Sequence, residues 1–268
     1  LRPHIRLGLD YEKSGWHGLY LEKPDTLPPI PRVDIAVAFL TDPEGRVAGN
    51  LRACLPEAAV RFFPPFPPRE KRTHVALTIS LSLEEAGLPI DSRKVLPAAE
   101  RRALLRRNVS SLKKGLVFHP GSGSPLKNHP PDFWLTLIKR IKKKFSVQKS
   151  AVLLGPAEEP LLSFYRENLS GSDPSLIFSP GREQLMELLE EAALFIGHDS
   201  GVTHLSAMLG APTLALFKSS SPDQWRPLGP SVSVIEGTCI DEGLLARIDH
   251  AAEKLMRKAF MDSADTPG

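Results

Sequence analysis

Leu194-Phe-Ile-Gly-His-Asp-Ser-Gly-Val-Thr-His-Leu-Ser-Ala-Met-Leu-Gly-Ala-Pro-Thr-Leu-Ala-Leu-Phe217 decides the fold. It opens with an apolar run of strand type and breaks into a small polar turn from Gly197 to Gly201. Helical spacing follows at Val202, Leu205 and Met208, and a second apolar run begins after Pro212. The pattern predicts strand, tight turn, helix, strand. In a parallel sheet such a turn lies at the carboxyl end of a strand, where the free amides of the next helix can hold an anion. Asp199 and Ser200 are good helix caps, and Gly201 lets a phosphate approach the backbone. Capping alone would also explain Asp199 and Ser200. His198 and His204 lack the spacing of a metal-binding pair on one helix face. The residue two before Ser200 is His198 and not glycine, so the turn is no nucleophile elbow.

Working outward, the second half of the chain repeats this unit. Gly115-Leu-Val-Phe-His119 reads as a strand, followed by Pro120-Gly-Ser-Gly-Ser-Pro125, a turn of small residues. A helix is expected from Pro131, with Trp134, Leu137, Ile138, Ile141 and Phe145 on one stripe. Ala151–Leu154 and Leu176–Phe178 read as further strands, and helices are expected through Leu161, Leu162 and Tyr165 and from Glu183 to Glu191. A strand near Val232–Ile235 and an amphipathic helix bearing Leu244, Leu245, Ile248, Ala252 and Leu255 close the series. Strands alternating with helices at short intervals call for a parallel sheet covered on both faces.

The first half is less regular. Residues 1–32 show short apolar pieces among charges and prolines, and the expectation is that sequence upstream is missing. Val33–Leu40 reads as a buried strand with Thr41–Gly45 as its exit turn, Arg46–Cys54 as a helix and Ala59–Phe63 as a strand. Pro64–Pro68 is a stiff connector; helices are expected from His74 to Ala86 and from Pro97 to Asn108. Residues 87–112 are the candidate crossing between two domains, drawn as 1–104 and 105–268.

Bulk properties narrow the function classes. A chain of 268 residues, 41% hydrophobic and 24% charged, is ordinary for a globular intracellular enzyme. Cys54 and Cys239 are the only cysteines, too few for a disulfide framework or a structural zinc cage. No apolar run is long enough to span a bilayer and no secretory pattern opens the chain. A net charge of +3 does not point to nucleic acid. The clusters Arg101-Arg102, Arg106-Arg107 and Lys142-Lys143-Lys144 are either solvated faces or a means of attraction to anionic lipid.

Chemistry should gather at the strand ends. Ser122, Gly123 and Ser124 offer hydroxyls and unencumbered amides, and Lys127 offers a positive charge to neutralise a diphosphate. Glu158 and Glu159 stand where a carboxylate could accept hydrogen bonds from ribose, or where acidic residues merely favour a helix start. No Walker loop and no dinucleotide-binding glycine triplet is present.

The order His119-Pro-Gly-Ser-Gly-Ser-Pro-Leu-Lys127, Leu153-Leu-Gly-Pro-Ala-Glu-Glu159, Gly197-His-Asp-Ser-Gly-Val-Thr-His204 and Leu216-Phe217 to Trp225-Arg-Pro227 resembles glycosyltransferase family 9, the ADP-heptose:lipopolysaccharide heptosyltransferases. The resemblance spans roughly residues 115–230, with a looser likeness around residues 33–51. It implies a GT-B type α/β fold, two Rossmann-like domains facing across a cleft, with the N-terminal one incomplete here. It implies inverting transfer of a heptose or similar sugar from a nucleotide-diphosphate donor, ADP-linked, to a lipopolysaccharide-core or other glycan acceptor. Ser122, Gly123, Ser124 and Lys127 would then meet the diphosphate, Glu159 or Glu158 the nucleoside, and Asp199 the sugar. Ser200, Gly201, Thr203 and His204 would surround the phosphates. Neither metal nor cofactor is expected. The acceptor would be lipid-linked or an oligosaccharide, met in the cytoplasm at the inner face of the inner membrane with peripheral membrane contact; nucleic acid is not an expected partner.

Three departures accompany this resemblance. The family's proposed base is an aspartate in a glycine-rich loop after its first strand, and no strand followed by Gly-Asp occurs here. Asp10 is the superficial candidate, and the base is expected in a missing N-terminal loop. Lys127-Asn-His129 lacks the aromatic that relatives carry soon after the lysine, and Phe217-Lys-Ser-Ser220 replaces the usual glycine after phenylalanine. A non-catalytic nucleotide-sugar-binding protein of the same fold stays open as the alternative.

Overall fold

The computed structural model describes residues 15–23, 28, 30–68, 70–105, 115–147, 149–169 and 173–264, with side chains as far as residue 258. Asp10, the pair Arg106-Arg107 and the end of the helix expected over Pro97–Asn108 lie outside these residues. The chain divides into two units, Leu1–Val95 and Leu96–Gly268.

The first unit holds one parallel strand-helix-strand motif, β1 (Ile35–Phe39), α1 (Arg46–Cys54) and β2 (Ala59–Phe63), with Ile35 opposite Ala59 and Phe39 opposite Phe63. The turn entering α1 puts Gly45 at φ +68, the left-handed region that favours glycine, while the Asp42 carboxylate accepts the Ala48 N–H at 2.8 Å. Leu19, Val47, Leu51, Leu55 and Val60 form its core. In α2 (Val75–Glu85) the His74 ring caps the start by accepting the Ala76 N–H at 3.1 Å.

The next helix departs from expectation. It is α3 (Ser92–Arg101), so Pro97 lies inside it and not in its first turn. The start is set by Asp91, whose carboxylate accepts the Arg93 N–H at 3.2 Å and whose carbonyl accepts the Lys94 N–H at 3.0 Å. These end contacts outweigh proline's preference for the first turn, and the ring removes one interior hydrogen bond.

The second unit runs β3 (Gly115–His119), α4 (Pro131–Phe145), β4 (Ser150–Leu154), α5 (Leu162–Asn168), β5 (Ser175–Phe178), α6 (Arg182–Glu190), β6 (Ala192–His198), α7 (Gly201–Met208), β7 (Thr213–Phe217), α8 (Pro222–Trp225), β8 (Val232–Glu236) and α9 (Glu242–Ala264). Its strands form a six-stranded sheet in the order β5-β4-β3-β6-β7-β8, every pair parallel. The strands run outward in one direction from β3 and in the other from β6, so the order reverses between these two neighbours. This is the doubly wound arrangement whose ligands lie beyond the strand ends at the reversal.

Side chains alternate across that sheet. Phe118, Leu154 and Ile196 face Trp134, Ile138 and Ile141 of α4 and Ile248 of α9, whereas Val117, Leu153 and Phe195 face Leu189 and Leu209. Trp134, Ile141, Phe118 and Phe195 are fully buried, each contributing about 1.5–3 kcal/mol relative to exposure. Arg140 ties α4 to α9 through Asp249 at 2.7 Å and Glu242 at 2.9 Å, and Lys144 reaches Glu253 at 3.4 Å. Lys142 pairs with Asp173 at 2.5 Å, so two of the three lysines in that basic cluster serve this unit's own surface.

Candidate functional site

β3 and β6, the strands at the reversal, end side by side with His119 opposite Gly197. The chain leaving β3 makes the turn from Pro120 to Ser124, a single 3-10 turn at Pro125–Lys127, and then α4. The chain leaving β6 makes only Asp199 and Ser200 before α7. Both exits therefore open at one end of the sheet.

Ser200 is the N-cap of α7: its hydroxyl oxygen accepts the Thr203 N–H at 3.3 Å. The Thr203 hydroxyl donates to the His198 carbonyl at 2.5 Å, so the Ser200 hydroxyl donates to Thr203 Oγ1 at 3.0 Å. The cap leaves the amides of Gly201 and Val202 without partners inside the helix, at its positive end. Gly201 is exposed and a side chain there would meet nothing within 4 Å, so the first residue of the helix borders open space.

Lys127 comes to the same place from the other exit. Its ammonium donates to Asp199 Oδ2 at 2.7 Å, and His204 Nε2 stands 3.5 Å from Asp199 Oδ1. Asp199 is 5% exposed while Lys127 is 34% exposed, so the carboxylate is enclosed and the ammonium reaches solvent. Burial alone would push the Asp199 carboxyl up; hydrogen bonds from His204 and Lys127 hold it at about 2 instead. Lys127, Asp199, Ser200, Thr203 and His204 thus form one constellation around the start of α7.

The remaining expected residues divide. Ser122 is buried and structural in its contacts, its hydroxyl directed to Asn128 Oδ1 at 2.6 Å and to the Ser124 carbonyl at 2.9 Å. Gly123 is exposed and unobstructed. Glu158 is 5% exposed, and its carboxylate accepts the Gly155 N–H at 2.8 Å beneath Gly121. A Cβ on Gly121 would fall 2.0 Å from Glu158 Cδ, which accounts for that glycine. Glu159, its neighbour, is exposed and leaves its carboxylate available. His198 and His204 part company: His198 turns into the core, His204 toward Asp199.

Sequence reading missed what lies beneath the turn. His198 Nε2 accepts the His129 N–H at 2.9 Å, with the His129 ring stacked on it at 5.3 Å and Trp134 edge-on at 5.0 Å. Burial, together with His129 and His119, pushes His198 down to about 3. Burial also lowers His119, whose Nδ1 donates to the Leu153 carbonyl at 2.9 Å, and His129, whose Nε2 donates to the Gly237 carbonyl at 3.0 Å. Lys218, one residue past β7, donates to the Asn128 carbonyl at 2.9 Å. Lys218 directly follows β7 as Asp199 directly follows β6, a strand-exit position that sequence alone does not tie to the turn carrying Lys127.

Comparison with known proteins supports the same assignment of fold. The model of glycosyltransferase family 9 (heptosyltransferase) matches residues 65–242. A candidate glycosyltransferase of Haemophilus influenzae is 28% identical over 135 residues, 48% of this chain and 38% of that protein. The chain thus spans well under half the length of that curated relative. The solved glycosyl transferase family 9 protein of Veillonella parvula aligns at TM-score 0.55 and 18% identity, over 83% of this chain and 74% of that one. The E. coli heptosyltransferase WaaC, solved with ADP, aligns at TM-score 0.52 and 15% identity, over 85% of this chain and 73% of that one. Parallel α/β units and these likenesses place the fold in the GT-B class.

Proposed function

This chain belongs to glycosyltransferase family 9, and from that premise we propose that it transfers a heptose or similar sugar from an ADP-linked diphosphate donor to a lipopolysaccharide-core or other glycan acceptor. The observation that carries the reading is the bond between Lys127 and Asp199, which sets an ammonium beside the amino end of α7 at the reversal of the sheet. An ammonium and a helix start converging on one point suit a diphosphate, and they suit it best as it departs and its charge grows.

The proposed transfer is inverting. A base takes the proton of an acceptor hydroxyl, whose oxygen forms a bond to the anomeric carbon on the face opposite the diphosphate. The bond to the diphosphate oxygen breaks, and the leaving group keeps the electron pair. Lys127 and the amides of Gly201 and Val202 offset that charge with His204 beside the phosphates, Asp199 fixes the lysine and faces the sugar, and exposed Glu159 meets the nucleoside. The base is assigned to no described residue, and no cofactor enters the scheme. Among the described residues no helix is long and apolar enough to cross a membrane. Lys139 and Lys143 on α4 and the pair Arg101-Arg102 are exposed, and they are among the charges open to an anionic surface if the acceptor is lipid-linked and met at the cytoplasmic face.

Incubation with ADP-heptose carrying a radiolabelled sugar, and with lipopolysaccharide-core acceptors of graded length, tests the proposal. Label should move to an acceptor with release of ADP. Tight donor binding with no transfer to any acceptor would instead favour a non-catalytic nucleotide-sugar-binding protein.

A further inference from the structure

The turn that carries Lys127 is fastened residue by residue from four strand ends. Lys127 itself is bonded to Asp199 after β6 at 2.7 Å. Asn128 accepts the Ser122 hydroxyl, after β3, on its side-chain oxygen at 2.6 Å, and the Lys218 ammonium, after β7, on its carbonyl at 2.9 Å. His129 gives its N–H to His198 at the end of β6 at 2.9 Å and its ring Nε2–H to the Gly237 carbonyl after β8 at 3.0 Å. Lys218 is the one charged member of this set besides the Lys127–Asp199 pair. It is half-buried, and among the described residues no carboxylate pairs with it, so its ammonium is directed to a backbone carbonyl. A charge-assisted bond of this kind is stronger than a neutral one, and here it falls on the carbonyl of the residue next to Lys127, in the peptide unit that joins Asn128 to His129. The two segments in which the sequence departs from the family pattern, residues 127–129 and 217–220, are therefore in contact with each other.

We infer that Lys218 is a positioning residue for the diphosphate site: by holding the Asn128 carbonyl it keeps Lys127 in register with the start of α7. The inference rests on the diphosphate reading of Lys127. With the bond removed, the turn keeps its Ser122 and His129 contacts and stays folded, while the Lys127 ammonium samples positions away from α7. The effect of Lys218 then passes through Lys127 and not through direct contact with the phosphates.

A double-mutant cycle with ADP, inorganic pyrophosphate and adenosine as separate probes tests this, with thermal melts confirming the fold of each variant. Lys218→Met keeps the aliphatic stem and loses the donor; it should weaken ADP and pyrophosphate about tenfold and leave adenosine unchanged. Lys218→Arg should restore most of the affinity. In a Lys127→Ala background, Lys218→Met should have no further effect on ADP. If Lys218→Met binds ADP as the wild type does while Lys127→Ala does not, Lys218 has no such role and the diphosphate reading stands. If the two losses add, Lys218 acts on the ligand by itself and the positioning role is overturned. If the wild type binds neither ADP nor pyrophosphate, or Lys127→Ala loses nothing, the diphosphate reading falls and the inference falls with it.

Discussion

The Lys127 ammonium and the Asp199 carboxylate, 72 positions apart in the sequence, meet at 2.7 Å between the ends of β3 and β6. The pair joins the two turns that flank the reversal of strand order, and the carboxylate within it is nearly enclosed. Its titration is consequently a property of the folded state. Asp199 is held at about 2 against an ordinary 3.8, so the unfolded chain binds its proton more readily. The resulting stability is complete above the ordinary carboxylate range and is lost as pH falls through about 2. Asp199→Asn should cost about 1–2 kcal/mol at pH 7, a figure reduced for the exposure of Lys127. Urea unfolding at pH 7 and near pH 2 checks this: the two proteins should differ at the first and converge at the second.

The buried histidines produce a separate acid window. His198 falls to about 3 from 6.5, because burial disfavours its charged form and His129 and His119 oppose it further. Between those values the unfolded chain takes up a proton that the folded chain refuses, so stability declines as pH falls below about 6.5 toward 3. The melting temperature should drop steadily from pH 7 to pH 4, and His198→Gln, whose side-chain oxygen can stand near the lost Nε2 and accept the His129 N–H, should flatten the drop. A wild-type melting temperature constant over that range would contradict this account of the histidine cluster.

Thr203 should matter more than its single hydroxyl suggests. The side chain is fully buried and links the His198 carbonyl to the Ser200 cap across the first turn of α7. Thr203→Val preserves the shape and leaves the carbonyl without its donor, at a cost of about 1–3 kcal/mol. Denaturant midpoints of this variant and of Ser200→Ala, which should lose about 1 kcal/mol as a cap, provide the comparison.

Two glycines separate side-chain crowding from backbone crowding. A Cβ at Gly121 would strike the Glu158 side chain, whereas one at Gly229 would lie 2.2 Å from the Ala207 carbonyl oxygen inside α7. Gly121→Ala should cost about 1–3 kcal/mol and be partly rescued by Glu158→Ala, while Gly229→Ala should cost more, with no single side-chain truncation to relieve it. Equal losses, or a strictly additive Gly121→Ala/Glu158→Ala pair, would contradict the packing described.

Much of the second unit was legible in sequence because its signals were local. The apolar runs after Gly115, Ala151 and Ala192 are strands that end where small or polar residues begin, and the stripe from Trp134 to Ile141 is the buried face of α4. Convergence of the turns around Lys127 and Ser200 was also readable, since parallel strands in alternation send their exits to one end. What escaped was set by tertiary contact. Asn128 and Lys218 carry no motif and acquire a role only when β7 is placed two strands from β3. Glu158 and Glu159 are identical in sequence terms; burial beneath Gly121 engages one and leaves the other free. Pro97 misled because a cap at Asp91 extended the helix in front of it.

The claim on which the account depends is that Lys127 and the start of α7 grip a single diphosphate. Calorimetric titration with ADP of the wild type and of Lys127→Ala tests it most directly. The wild type should bind, and Lys127→Ala should lose about 1.5–3 kcal/mol of binding free energy, as expected for a charge-assisted phosphate contact. Binding by the variant as tight as that of the wild type, with melting curves showing both folded, would contradict it.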